Sequence, residues 1–133
     1  MPENQLVHDP SFLDLILPNA ELQKIAGGML WTEGPIYFAQ GDYLLWSDIP
    51  NNKLYQWVEG CGVRTFDAEA NNCNGHTIDH EGRLISCEHL TRSVTRREHD
   101  GSVTVIADQH QGRRLNSPND VVVKSDGYIW FTD

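Results

Sequence analysis

The sequence contains the stretch GDYLLWSD at residues 41–48, and shorter versions of it return as GRLISCE at residues 82–88 and GYIWFTD at residues 127–133. Each version is a glycine, then an apolar or aromatic run, then an acidic residue. The three glycines stand 41 and 45 positions apart, and self-similarity at such a spacing is typical of repeat proteins. We therefore interpret the chain as a series of similar units.

The match extends to both sides of this stretch. Eight positions before each glycine stand EGP at 33–35, NGH at 74–76 and NDV at 119–121, so no gap interrupts the alignment. Residues 53–57 and 63–66 each find a counterpart 40 positions later. One unit is thus a polar anchor followed by four short runs rich in strand-forming residues. The turns between them contain glycines that we expect to adopt positive φ: Gly41, Gly82 and Gly127.

Four antiparallel strands in each repeat of this length predict the blade of a β-propeller. We predict an all-β fold, a six-bladed β-propeller of which this chain covers about the first two to three blades. Residues 1–24 are interpreted as a lead-in segment, with a strand or helix that packs on the ring, and residues 25–133 as the N-terminal blades of one domain. We expect a longer protein of roughly 280–300 residues. The alternative is a sandwich or meander with similar turns.

Composition narrows the classes of partner. The chain has a net charge of −9 and a pI near 4.9, which argues against nucleic acid and anionic membranes as partners. Its cysteines are odd in number and form no CxxC pair, which favours reduced thiols in a cytoplasmic protein: Cys61, Cys73 and Cys87. The apolar run at 12–17 is too short for a signal peptide or a membrane span.

The anchors are candidates for an ion site. In a propeller, equivalent positions of successive blades converge around the axis, and Glu33, Asn74 and Asn119 are such positions. Carboxylate and amide oxygens are ligands that Ca²⁺ or Mg²⁺ prefers, and Mn²⁺ or Zn²⁺ also accepts them. Alternatively, each asparagine makes only a local turn hydrogen bond. Glu33 lies between aromatic and apolar residues, so we expect a buried carboxylate that needs a partner.

Several blocks together resemble the gluconolactonase / senescence-marker-protein family: WTEGP at 31–35, NGHTID at 74–79, CEH at 87–89, LNSPNDVVV at 115–123 and the final WFTD. The resemblance runs from about Ile25 to the last residue. It implies a six-bladed propeller with a divalent metal near the axis, commonly Ca²⁺ and sometimes Zn²⁺ or Mn²⁺. It also implies the hydrolysis of sugar lactones, within carbohydrate metabolism.

Two positions carry over from the family's metal site. Glu33 matches the first-blade glutamate that binds the metal, and Asn119 matches the third-blade asparagine that contacts metal or substrate. The resemblance places the remaining ligands, an Asn and an Asp, and the general base in later blades, beyond Asp133. Animal members have an arginine where Ser117 stands, so their substrate preference is not carried over, and the blocks resemble the bacterial branch.

The function expected from this resemblance is metal-dependent hydrolysis of a small-molecule lactone, with Ca²⁺ favoured over Zn²⁺, Mn²⁺ or Mg²⁺. Residues 1–133 alone are expected to be inactive, and the oligomeric state is open. The alternatives are a diisopropylfluorophosphatase-like phosphotriesterase and a non-catalytic calcium-binding propeller. The residues predicted to contact substrate are Asn74, Glu88, Asn116 and His76, with His89 as a further donor candidate.

Overall fold

Short antiparallel strands joined by tight turns make up most of the chain. The computed structural model describes residues 7–17 and 21–133. Its first sheet contains four strands in sequential order: β1 (Thr32–Phe38), β2 (Tyr43–Asp48), β3 (Lys53–Val58) and β4 (Gly62–Asp67). All neighbouring strands of this sheet pair antiparallel. The predicted four-stranded unit is therefore confirmed for the first repeat.

The second sheet repeats the first in topology: β5 (Cys73–Ile78), β6 (Leu84–Glu88), β7 (Ser93–Arg97) and β8 (Val103–Ala107). Two hairpins follow, β9 (Gln109–His110) with β10 (Arg113–Arg114), and β11 (Val121–Val123) with β12 (Ile129–Phe131). The pair β11–β12 occupies the positions of β1–β2 in the repeat. The all-β prediction is confirmed, and closure into a six-bladed ring stays a prediction.

The two four-stranded sheets and the β11–β12 hairpin stack face to face through apolar side chains. One buried cluster lies between the first and second sheets: Phe38, Leu45, Leu54, Ala70, Cys73 and Leu84. A second lies between the second sheet and the β11–β12 hairpin: Ile85, Cys87, Val94 and Val121. Burying one large apolar side chain stabilises a fold by about 1.5–3 kcal/mol, so these clusters hold the sheets together. β6 supplies Leu84 to the first cluster and Ile85 and Cys87 to the second, because the side chains of a strand alternate between its two faces.

The first strands of the sheets are neighbours. β1 lies against β5, and β5 lies against β11, whereas the last strand of each four-stranded sheet is largely exposed. The strand beginnings therefore meet on one side of the stack, as the blade interpretation expects. This is the arrangement that positions the candidate site.

One turn departs from the prediction. Gly82 and Gly127 adopt positive φ as expected, but in the first repeat the left-handed residue is Asp42, with φ of 50°, and not Gly41. The expectation for Gly41 is therefore wrong. Aspartate tolerates this conformation better than most residues, so the turn has shifted by one position.

The lead-in segment contains a 3-10 helix at Pro10–Leu15, which Asp9 caps by accepting from the Ser11 backbone N–H at 2.9 Å. None of its residues is buried, so the predicted packing on the sheets is not seen within residues 7–17. The remainder of the predicted segment before Glu21, at 1–6 and 18–20, lies outside the described residues. No helix in the described part of the chain is long and apolar enough to cross a membrane.

Candidate functional site

The three anchors of the repeat line one pocket. Glu33 on β1, Asn74 on β5 and Asn119 before β11 border a cavity of about 350 Å³. Its other walls are Trp31, Ile49, Pro50 and His89. Among the lining side chains Glu33 supplies the only carboxylate, and none is Lys or Arg, so the pocket suits a cation or a neutral polar ligand better than an anion.

Two glycines allow the anchors to come together. A side chain at Gly34 would place its Cβ 2.0 Å from the carbonyl oxygen of Asn74. At Gly75 the Cβ would lie 2.6 Å from the carbonyl oxygen of Asn119, and the Gly75 N–H donates to that same oxygen at 2.8 Å. Each sheet therefore touches the next directly after its anchor residue, where only glycine fits.

β-Bulges aim the anchors. The pairing of β1 with β2 shifts register between Glu33 and Ile36, and that of β5 with β6 shifts between Cys73 and His76. A bulge bends its strand and redirects the side chains beside it. The same irregularity at the same place in two repeats carries Glu33 and Asn74 to the end of each sheet that faces the pocket.

The acid that ends each repeat stretch holds the loop before the anchor. The Asp48 carboxylate accepts from the backbone N–H groups of Leu30 at 3.2 Å and Trp31 at 3.1 Å. The Asp133 carboxylate accepts from Asn116 at 2.8 Å and Ser117 at 2.7 Å. In both repeats the donors stand three and two positions before the anchor, so these acids position Glu33 and Asn119.

The ionisation of Asp48 fits this role. The side chain is fully buried, and burial by itself would raise its pKa. Hydrogen bonds from the Asn51 side chain and from the loop backbone outweigh burial, so the pKa of Asp48 lies below its usual value. Asp48 is therefore charged at neutral pH and accepts charge-assisted hydrogen bonds from the loop.

Glu33 is not the buried carboxylate that we expected. It is exposed, because β1 is exposed along its first residues, and the indole N–H of Trp31 donates to its Oε1 at 3.3 Å. Asn119 is also exposed, whereas Asn74 is buried. The Glu33 carboxylate is thus accessible from solvent, with the Trp31 indole as its hydrogen-bond partner in the described part of the chain.

Two of the predicted substrate-contacting residues lie outside the pocket. Glu88 is buried and accepts hydrogen bonds from side chains only: Asn71 at 3.0 Å, Thr91 at 2.6 Å and Thr95 at 2.7 Å. Asn116 donates its backbone N–H to Asp133, and its carbonyl accepts from Arg92 at 2.8 Å. A contact between substrate and either residue stays a prediction, one that this placement does not support.

His76 is enclosed between the sheets. Its ring lies 2.7 Å from the Ser47 hydroxyl through Nε2 and 2.8 Å from the Ser86 hydroxyl through Nδ1. Burial lowers the pKa of His76 from 6.5 to about 4, so the ring is neutral at neutral pH. Because both nitrogens are engaged, its predicted contact with substrate also stays a prediction that the geometry does not support.

His89 has a more prominent position in the structure than its sequence context indicates. It lines the pocket, and its Nε2 is shielded from solvent with no hydrogen-bond partner in the described part of the chain. Leaving such a group without a hydrogen bond costs about 1–3 kcal/mol, so a ligand that hydrogen-bonds to it would bind more tightly. The repeat register indicates the position of His89: it follows Glu88 as Ile49 follows Asp48, and both His89 and Ile49 line the pocket.

The donor set fits a divalent cation. Within residues 7–17 and 21–133 no three His, Cys, Asp or Glu side chains cluster as a ready ion site. The pocket instead brings one carboxylate together with two amides. Those oxygens suit Ca²⁺ or Mg²⁺, and the neighbouring imidazole of His89 also suits Zn²⁺ or Mn²⁺.

A second pocket of about 380 Å³ lies on the other side of Glu33, between the segment at 25–29 and the face of β1 and β2. Its walls are mostly apolar, and Glu33 is their only ionisable side chain: Ile25, Ala26, Gly27, Gly28, Met29, Thr32, Pro35, Leu44 and Trp46 complete it. With one anchor and no second polar group of the repeat, it lacks the convergence that marks the first pocket.

Known proteins with similar sequences and structures point in one direction. A gluconolactonase from Zymomonas mobilis is 30% identical over 141 residues, covering 91% of this chain and 38% of its own length. A structural-genomics X-ray structure provisionally named a gluconolactonase is 38% identical with a TM-score of 0.88, covering 95% of this chain and 44% of its own. A gluconolactonase structure from Xanthomonas campestris is 38% identical with a TM-score of 0.75, covering 79% of this chain and 35% of its own.

The chain therefore spans less than half the length of each of these relatives. The family model of the SMP-30/Gluconolactonase/LRE-like region matches residues 31–133, the part that contains every sheet and the pocket. With this match and these relatives, the chain belongs to the SMP-30/gluconolactonase/LRE-like family.

Proposed function

We propose that the full-length protein hydrolyses a sugar lactone to the aldonic acid with a divalent cation held in the pocket of Glu33, Asn74 and Asn119. The observation that carries this proposal is the convergence of the three anchors, from three separate sheets, on one cavity. Membership of a family that includes gluconolactonases supports the choice of substrate. The relatives are more than twice as long, so further sheets would complete the site and the ring.

The cation would be held by Glu33 and Asn119, with the Asn74 amide beside them. A divalent cation bound there supplies Lewis-acid polarisation of the ester carbonyl. Glu33 provides the negative charge, and each amide oxygen provides a neutral donor. We propose Ca²⁺ first because all three groups offer oxygen, with Zn²⁺, Mn²⁺ or Mg²⁺ as alternatives.

The remaining groups of the pocket suit a sugar ring. An asparagine that turns its oxygen to a cation leaves its NH₂ group free to donate to a lactone oxygen. Trp31 presents a flat apolar surface, and Ile49 and Pro50 limit access by water. His89 offers a ring nitrogen that has no hydrogen-bond partner among the described residues. In the hydrolysis a water oxygen bonds to the carbonyl carbon, the ring C–O bond breaks, and the ring oxygen takes a proton. The general base would come from a later sheet.

The test is lactone hydrolysis by the full-length protein, followed by acid release from glucono-δ-lactone with and without chelator. Chelation and Glu33→Gln should each lower turnover by about 100-fold or more, because cation stabilisation is worth several kcal/mol. The matched control is Glu59→Gln, since Glu59 lies exposed in the turn after β3 and should leave turnover within about twofold.

Unchanged turnover after both chelation and Glu33→Gln would refute the metal-dependent mechanism. Diisopropyl fluorophosphate tested beside the lactone separates the reactions, because faster turnover of the fluorophosphate would refute lactonase activity in favour of a phosphotriesterase. Calcium binding by a full-length protein that turns over neither compound would refute both activities and indicate a binding scaffold.

A further inference from the structure

An enclosed chain of polar groups connects the first two sheets behind the pocket. It runs from Ser86 on β6 through His76 on β5 to Ser47 on β2, with distances of 2.8 and 2.7 Å between hydroxyl oxygens and ring nitrogens. Ser47 also donates to the carbonyl oxygen of Asn74 at 3.0 Å and lies 3.2 Å from the Cys73 sulfur. This series of polar groups therefore ends at the backbone carbonyl of Asn74, a pocket residue.

The protons of this chain can be assigned by counting. A carbonyl oxygen only accepts, so the single hydroxyl proton of Ser47 goes to Asn74. Ser47 must then accept at its remaining lone pairs, and the group opposite them is Nε2 of His76. A neutral imidazole carries one ring proton, which leaves Nδ1 as the acceptor for the Ser86 hydroxyl. In this arrangement the Asn74 carbonyl, both ring nitrogens and both hydroxyls have partners, whereas the other tautomer would direct the Ser47 proton to Nε2 and away from Asn74.

These polar groups contact the Asn74 backbone at the point where its own sheet holds it least. Asn74 lies within the bulge of β5, and its carbonyl lies directly against Gly34 of the first sheet. On the other side, the Gly75 N–H reaches Asn119 at 2.8 Å. Any shift of the Asn74 carbonyl would therefore change its position relative to both of the other anchors.

We propose that His76 is a positioning residue: held in its Nε2–H tautomer by Ser47 and Ser86, it fixes the main chain of Asn74 against the first sheet and so keeps the three anchors in register. The consequence for catalysis depends on the proposed function. The consequence for geometry does not, because it concerns only the hydrogen bonds between β2, β5 and β6. Polar groups of this kind specify one arrangement when every member is satisfied.

The first test is the tautomer, read in the full-length protein from ¹⁵N shifts of the histidine rings, with the His76 signals assigned by their loss in His76→Gln. We expect a protonated Nε2 and an unprotonated Nδ1. Protonation at Nδ1 instead would overturn the proposal. The result is independent of any activity.

The second test compares two buried serines. Ser47→Ala should speed hydrogen exchange of the Gly75 N–H by at least about 10-fold, because the Asn74 carbonyl loses its hydrogen bond from Ser47. Ser93→Ala is the matched control, because Ser93 is also buried but its hydroxyl bonds to that of Thr91 in the turn before β7. Equal exchange at Gly75 in the two variants would overturn the proposal even if both fold.

The third test uses Ca²⁺ alone as the probe, measured by calorimetry. Ser47→Ala and His76→Leu should weaken binding by about 10- to 100-fold, as the loss of supporting hydrogen bonds does elsewhere, whereas His76→Gln, whose amide nitrogen can still donate to Ser47, should recover part of this loss. Equal binding by His76→Leu and wild type would overturn the proposal. A wild type that binds no divalent cation refutes the proposed function, and the tautomer and Gly75 exchange still decide the positioning role.

Discussion

Replacing Gly34 with alanine should force the first two sheets apart at the pocket. The new Cβ would lie 2.0 Å from the carbonyl oxygen of Asn74 and 2.9 Å from Cδ2 of His76. Carbon–oxygen contacts in proteins are normally about 3.3 Å or longer, so the strands must separate by roughly 1 Å. Neither neighbour yields easily, because one is backbone and the other is the ring held between two serines.

The cost has two parts. Gly34 has φ of +56°, where a residue with a Cβ loses about 1–2 kcal/mol. Overpacking in a close contact adds about 1–3 kcal/mol. We expect Gly34→Ala to lower the free energy of unfolding by about 2–5 kcal/mol, a large share of the 5–15 kcal/mol typical of folded domains.

Two other glycines separate these parts. Gly82 has φ of +79° with no atom within 4 Å of its would-be Cβ, so Gly82→Ala should show backbone strain alone. Gly75 is not left-handed, but its Cβ would lie 2.5 Å from Asp120 Oδ1 and 2.6 Å from the Asn119 carbonyl oxygen. Gly75→Ala should therefore show the contact alone.

The assay is urea-induced unfolding of the three variants in the full-length protein, monitored by tryptophan fluorescence. The loss should be largest for Gly34→Ala, and about 1–2 kcal/mol for Gly82→Ala. A Gly34→Ala variant that loses no more stability than Gly82→Ala would refute the reasoning, because it would mean that the sheets do not touch at this residue.

Three further predictions concern buried groups. Burial lowers the pKa of His76 from 6.5 to about 4, so between these pH values unfolding takes up a proton. The free energy of unfolding should therefore rise by roughly 3 kcal/mol as the pH increases across this range. The same pH dependence in His76→Gln would contradict this. Exposed Cys61 should react with iodoacetamide at pH 8, as detected by peptide mass spectrometry. Cys73 and Cys87 should stay unlabelled until the protein unfolds, because burial raises their thiol pKa values to about 11 and about 12. Asp48→Asn should cost about 1.5–3 kcal/mol in urea unfolding, because two loop N–H groups lose a charged acceptor; a loss below about 0.5 kcal/mol would contradict the role of the acid.

The strands were predictable because their signals are local and repeated. β2 and β6 follow directly from the runs after Gly41 and Gly82, and turn glycines delimit them. The exception is the residue that takes positive φ in the first turn, since glycine and aspartate both tolerate this conformation and the sequence GD contains both. Only the surrounding packing decides between them.

The site was predictable in part, from register and not from residue type. Equivalent positions in stacked sheets meet, and so Glu33, Asn74 and Asn119 line one pocket. Residue type does not decide the role of Glu88, because an acid in a repeat has the same letter whether it faces a ligand or, as Glu88 does here, hydroxyls and an amide of its own repeat. His89 was underrated because its shielded Nε2 becomes evident only from the packing around it.

The second repeat explains why a histidine is needed behind the pocket. In the first and third repeats the closing acid accepts backbone N–H groups of the loop before the anchor. Glu88, the acid of the second repeat, is bonded by side chains instead. The N–H of Asn72 in that loop donates to the Asn52 side chain, in the turn between β2 and β3, at 2.7 Å. Among the described residues, the loop before the second anchor therefore receives no backbone hydrogen bond from its own acid, and Glu88 holds it through the Asn71 side chain alone. The Ser47–His76 connection supplies support from the neighbouring sheet, so the position of Asn74 depends on how the two sheets pack together.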